Sequence, residues 1–191
     1  MIGEKEIQSL FSKQLSRIKN KKLRDMVVET YVMACQEGGW ESVEDLRKVP
    51  FTLLTDTKGI DLMQHIIAVT ESAIGLAQGQ IENYETMPYR IDMDRLVAGG
   101  LLHDVGKLVE IQKDGKGGFR KSKNGALIRH PISGAILAGR AGLPLEIVNM
   151  IACHAKEGEG APQVVETVLI HQADFATFNP LTMMTKGLLI T

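Results

Sequence analysis

The chain has 191 residues, 22 Lys+Arg against 23 Asp+Glu, and is 44% hydrophobic and 24% charged. That length suits one domain with a helical extension, and that composition suits an ordinary globular chain with a core to bury. A net charge of -1 excludes any general electrostatic attraction to nucleic acid or an acidic membrane.

The periodicity is helical almost throughout. Ile7, Leu10, Phe11, Leu15 and Ile18 fall on one face of a first helix. Leu23, Met26, Val27, Tyr31, Ala34 and Cys35 repeat the pattern, and Gly38-Gly39 stops it. Ser42 with Asp45 gives a loose N-cap signal before a short segment that Pro50 ends. Residues 1–52 therefore read as an N-terminal helical extension, and 53–191 as the main domain. The basic cluster Lys13, Arg17, Lys19, Lys21, Lys22 and Arg24 has no interleaved aromatics, so it reads as a solvated helix face.

A long helix runs from Asp61 to about Tyr84, with Leu62, Ile66, Val69, Ala73, Leu76 and Ala77 facing the core. Asp92 caps a further helix through Leu101, and Gly106 marks its break. The stretch EIQKDGKGGFRKSKN at 110–124 is expected as a surface hairpin or mobile loop, since Asp114-Gly115 favours a tight turn. His130 precedes a helix with Pro131 in its first turn. Pro144 opens another, ending near His154. Pro162 opens the last, through Phe178, with Pro180 after it. The sum is an all-α bundle with short connections.

Cys35 and Cys153 are too few for a disulfide framework or a Cys-rich zinc site, and they fit free thiols in a reducing cytoplasm. The N-terminal MIGEKEIQSLF alternates charged and apolar residues, unlike a secretory leader. No run approaches the ~20 apolar residues of a membrane span. A cytoplasmic protein is expected. The apolar helical preface and the apolar C-terminus lead us to expect a homodimer.

The five histidines carry the chemical signal. His65 lies on the long helix, His103-Asp104 at the end of the next, His130 at a helix start and His154 near a helix end. Asp174 lies on the last helix, with His171 one turn before it. Imidazole nitrogens mixed with carboxylate oxygens suit Zn, Fe, Mn or Ni better than Ca. At a helix end, two consecutive residues can converge on one cation, and a carboxylate can bridge two. A lone His-Asp pair is a weak motif, but the order His…His-Asp…His…His…Asp over separate helices is not.

The residues His65, GLLHDVGKL around His103-Asp104, HPISGA from His130, His154 and HQADF ending near Asp174 resemble the HD-domain metal-dependent phosphohydrolase superfamily. The resemblance covers roughly residues 60–180 and implies an HD-domain helical bundle. It implies that His65, His103, Asp104 and Asp174 hold one metal. His130 and His154 would hold a second, with Asp104 bridging. Fe, Mn, Zn, Ni and Mg are not distinguished. The resemblance also places Lys107 near the substrate phosphate, where it would offset charge on phosphoryl oxygens. His171 is expected to be structural or to support a ligand from behind. Lys156, Glu157 and Glu159 are expected in a solvated loop near the mouth. The sequence departs from the HD-GYP subfamily, because His154 is single in CHAKEGEGAPQ and Gly160-Ala161-Pro162 lacks the tyrosine.

The expected function is hydrolysis of a phosphate ester by a metal-activated hydroxide, with Asp104 and Lys107 as catalytic residues. A nucleotide, a phosphomonoester and a phosphodiester all fit, so the expected partner is a small phosphorylated molecule. The same ligand order also occurs in a di-iron oxygenase branch of the superfamily. A non-catalytic signalling scaffold is the third reading, and it would show lost ligands, which this chain does not.

Overall fold

The computed structural model describes residues 2–190. The chain forms α1 (Glu4–Leu10), α2 (Ser12–Leu15), α3 (Lys21–Gly38), α4 (Val43–Leu46), α5 (Leu62–Asn83) and α6 (Met93–Leu102). A short α7 (Lys107–Glu110) leads into the hairpin β1 (Ile111–Lys113) and β2 (Phe119–Lys121). Then come α8 (Lys123–Leu127), α9 (His130–Arg140), α10 (Leu145–Cys153), a single 3-10 turn (Lys156–Gly158) and α11 (Val165–Thr185). The fold is all-α, and the hairpin is its one sheet among the described residues.

Five of the helix starts follow from side-chain capping. Asn20, Ser42, Asp61, Asp92 and Ser122 each accept a hydrogen bond from the backbone N–H three residues on. At α5 the cap is reciprocal, since Gln64 Oε1 also accepts from the Asp61 N–H at 3.1 Å. Gly39 ends α3 at φ 73°, a left-handed position that costs glycine nothing.

Three details differ from the sequence expectations. The first helix breaks at Phe11, whose backbone (φ -113°, ψ 22°) ends α1. The break keeps Ile7, Phe11, Leu15 and Ile18 all buried, with Phe11 against Tyr31 at 4.8 Å between ring centroids. The 110–124 stretch, by contrast, forms the hairpin expected as one of its two forms, pairing Ile111 with Lys121, its turn held by Asp114 Oδ1 accepting from the N–H groups of Lys116 and Gly118. His130 is the first residue of α9, not the one before it. The last helix starts at Val165, because residues 162–164 are pinned by Asn149, which donates to the Pro162 carbonyl and accepts from Val164 N and Thr167 Oγ1. It then runs through Pro180 to Thr185. The proline forgoes one helical hydrogen bond, while buried Leu181 holds the continuation against the core.

α5, α6 and α11 pack against one another, α10 lies against both α6 and α11, and α9 lies against α10. The N-terminal helices share the same continuous core. Tyr31 of α3 and Trp40, which follows that helix, reach the chain on either side of the His-Asp turn. The Tyr31 hydroxyl donates to the Leu101 carbonyl, and Trp40 Nε1 donates to the Leu108 carbonyl at 2.7 Å. Among the described residues no helix is long and apolar enough to cross a membrane.

Candidate metal centre

α6 ends at Leu102, and the turn 103–106 carries His103 and Asp104 into the middle of the bundle before α7 begins. Gly106 makes this turn possible. A Cβ there would sit 2.1 Å from the His130 carbonyl oxygen and 2.7 Å from Gly134 N. The missing side chain lets the His-Asp turn touch the first turn of α9, which brings His130 to Asp104.

The carboxylate of Asp104 is the centre of the cluster. Its Oδ2 lies 3.2 Å from His65 Nε2 and 3.5 Å from His103 Nε2. Its Oδ1 lies 3.2 Å from His130 Nε2 and 3.5 Å from His154 Nε2. Each oxygen thus faces its own pair of imidazoles, and two groups emerge whose donor atoms could each hold a cation: His65, His103 and Asp104, and Asp104, His130 and His154. Asp174 joins from α11, its Oδ1 3.2 Å from His65 Nε2.

The other ring nitrogens are tethered. His103 Nδ1 donates to the Gly100 carbonyl at 2.6 Å and His154 Nδ1 to the Ile151 carbonyl at 2.8 Å. His130 Nδ1 meets Glu110 Oε2 at 3.0 Å, and His65 Nδ1 meets Thr177 Oγ1 at 3.4 Å. These contacts leave each Nε2 aimed inward with a lone pair. His65 Nε2, His103 Nε2, His154 Nε2 and Asp104 Oδ1 are buried without a hydrogen-bond partner. A buried polar atom without a partner costs about 1–3 kcal/mol, so four converging on one point is the signature expected of residues built to fit a metal.

The electrostatics agree. Burial pushes the Asp104 carboxyl up, but Lys107 and the imidazoles of His103 and His154 outweigh it and hold the group well below the carboxylate range. Burial likewise raises Asp174, but the adjoining His65 imidazole overrides it, so this carboxyl is also held low. Burial pulls His130 down to about 4, against the opposing pull of Glu110 and Asp104. Its ring is therefore neutral at ordinary pH, the form that donates a lone pair to a metal.

Lys107 Nζ lies 2.6 Å from Asp104 Oδ2 and 5.6 Å from the centroid of the Phe51 ring. It lines a cavity of about 490 Å³ that also reaches His130 and Asp174. His171 stands outside the cluster, its Nδ1 donating to the His154 carbonyl at 2.6 Å. Lys156 and Glu157 line the cavity, and Glu159 is not among its lining residues.

Three contributors escaped the sequence reading. Glu110 holds His130 from behind, Thr177 holds His65, and Phe51 stacks on His65 at 4.3 Å between centroids with 18° between planes. Thr177 carries the one usable signal, being three residues after Asp174 and so on the same helix face. Glu110 and Phe51 come from segments whose spacing to the histidines has no periodic meaning.

An all-α bundle enclosing a buried cluster of imidazoles around a shared carboxylate is the class of protein defined by this fold and site. The HD domain family model matches residues 62–176, and the chain belongs to that family, the superfamily its motifs resemble. Among curated proteins, Ribonuclease Y of Thermotoga maritima is 34% identical over 94 residues, which are 49% of this chain and 16% of that protein. Ribonuclease Y of Pseudothermotoga lettingae is 32% identical over 116 residues, 61% of this chain and 18% of that protein. The chain thus spans less than a fifth of the length of these relatives. No solved structure matches the chain.

Proposed function

We propose that the protein is a metal-dependent hydrolase of phosphate esters. The observation that carries this reading is the division of Asp104, whose two oxygens each face a separate imidazole pair. His65, His103, Asp104 and Asp174 would hold one divalent cation, and His130 and His154 a second, with Asp104 shared. Such cations supply a Lewis acid and acidify water.

The remaining work belongs to the chain. Lys107 stands at the boundary between Asp104 and the cavity, where its ammonium can leave Oδ2 for a phosphoryl oxygen and offset the charge that grows there. Asp104 and Asp174, both held ionised, keep the cluster ready for cations. Phe51, packed flat on His65, keeps water from that ring's face. The likeness to proteins named Ribonuclease Y is a reason to test RNA phosphodiesters beside nucleotides and phosphomonoesters. The cysteines are both free, in keeping with work in the cytoplasm.

The test combines elemental analysis of the purified chain with a panel of nucleotides, phosphomonoesters and short RNA. Two metal equivalents and hydrolysis of at least one ester are expected, with His103→Ala and Asp104→Ala losing both metal and activity while staying helical. Oxygen consumption without any ester hydrolysis would overturn the proposal.

A further inference from the structure

The cavity beside the cluster has walls of two kinds. One is cationic, formed by Lys107, Lys121, Arg129 and Lys156. Lys156 has no ion-pair partner among the described residues, whereas Arg129 is engaged by Glu157 at 3.5 Å and Glu110 at 3.8 Å. The other wall is apolar, and two segments build it. Residues 51–54 bring Phe51, Leu53 and Leu54, and α11 brings Phe175 and Phe178. Phe175 and Phe178 are three apart and share a helix face with each other. Phe178 meets Phe51 edge-on at 6.3 Å between centroids. The two segments also touch beyond the lining residues, where Thr55 and Thr185 hydroxyls lie 2.8 Å apart.

Leu54 is 77% exposed and Leu53 40%, although they line a concavity already walled by rings. Apolar side chains around a cavity that also holds a few directed polar groups are the usual make-up of a small-molecule site. Phe51, Leu53, Leu54 and Phe178 all lie outside the segment matched by the family, residues 62–176. The apolar wall therefore lies mostly outside the segment that the family model matches.

We propose that this wall is a specificity subsite for a flat ring carried on the ester side of the substrate. The ring lies against Phe178 and Phe175 with Leu53 and Leu54 over it, and the phosphate points to Lys107 and the cluster. The proposal rests on the phosphate-ester reading and adds to it which esters are chosen. Two kinds of ring share this chemistry, a nucleobase and the aryl group of an aryl ester. Both present an apolar face to phenylalanine, and offset or edge-on ring pairs add about 0.5–1.5 kcal/mol to the burial of area.

The test is calorimetric binding to the metal-loaded full chain, with phosphonates that cannot be hydrolysed at an ester bond. Methylphosphonate carries no ring, naphthylmethylphosphonate carries an aryl ring, and adenosine 5′-phosphonate carries a nucleobase. A ring-bearing ligand is expected to bind about tenfold or more tighter than methylphosphonate, the equivalent of ~1.4 kcal/mol. Phe178→Ala and Leu54→Ser are each expected to cut that ratio to about threefold or less; Leu54 is surface-exposed, so its variant keeps its fold. Preference for the adenosine ligand assigns the subsite to a nucleobase, and preference for the naphthyl ligand assigns it to an aryl ester. Equal binding of all three, no binding of any, or equal weakening of all three in both variants would overturn the proposal. Ring selectivity in a chain that hydrolyses no ester would uphold the subsite and sink the phosphohydrolase reading instead.

Discussion

Glu110 grips His130 twice, through the backbone N–H and through Nδ1 at 3.0 Å, across twenty positions of sequence. The carboxylate fixes both the start of α9 and the ring that the helix delivers. Burial raises Glu110, and the His130 hydrogen bonds outweigh it, so it stays ionised and accepts the Nδ1 proton. The proton on Nδ1 leaves the Nε2 lone pair facing Asp104. Carboxylates in this position typically contribute 10–100-fold to metal affinity. Glu110→Ala should therefore weaken the cation proposed at His130 and His154 by about that factor, while the one at His65 and His103 is retained. Metal titration followed by elemental analysis checks this. Two tightly held equivalents in the variant would contradict it.

Gly106 is required by closeness, not by backbone conformation, since its φ is -62°. Gly106→Ala places a methyl group against the His130 carbonyl at 2.1 Å, and backbone atoms cannot step aside as a flexible side chain can. Overpacking of this kind costs about 1–3 kcal/mol. The variant is expected to be helical, less stable by about that amount, and poor in metal because α9 is pushed off the His-Asp turn. Circular dichroism with urea, run beside metal analysis, separates the two effects. Wild-type metal content in Gly106→Ala would show that the close approach does not position His130.

Much of this centre was legible in the sequence because ligand type and helix placement are local properties. His65, His103, Asp104, His130, His154 and Asp174 are all brought together, and the caps read at Ser42 and Asp92 set their helix starts. What supports these side chains was not legible. Glu110 and Phe51 act through contacts that exist only once α7 meets α9 and the loop after Pro50 meets α5. Pro180 misled for a related reason. Proline ends helices by local rule, but here the buried side chain of Leu181 outweighs one lost hydrogen bond.

Trp40 fastens the N-terminal helices to the turn after the His-Asp pair. Its Nε1–H donates to the Leu108 carbonyl at 2.7 Å, and both residues are buried. Trp40→Phe keeps the apolar contact but leaves that carbonyl unpaired, at a cost of about 1–3 kcal/mol. A fall in urea midpoint with an unchanged slope is expected. An unaltered midpoint would mean that water replaces the indole, and that α3 is not clamped to α7 by this bond.

Cys35 predicts how the fold responds to alkali. Burial among α3 neighbours pushes its thiol up to about 12, against 9.0 for the ordinary group. The folded chain therefore keeps a proton that the unfolded chain gives up once pH passes about 9. Below that value both states are protonated and the thiol has no effect on stability. Between about 9 and 12 the unfolded state binds fewer protons, so stability falls as pH rises, by about 1.4 kcal/mol per unit at the steepest. Cys35→Ala removes this group, and comparing its urea midpoints with those of the wild type from pH 8 to 10.5 cancels the titration of every other residue. The wild type should lose ground to the variant only above pH 9. At pH 8 the native chain should react with a thiol reagent at Cys153, which is partly exposed, and at Cys35 only after unfolding. Parallel midpoints across the whole range, or two fast-reacting thiols in the native chain, would show that Cys35 is not held in the core.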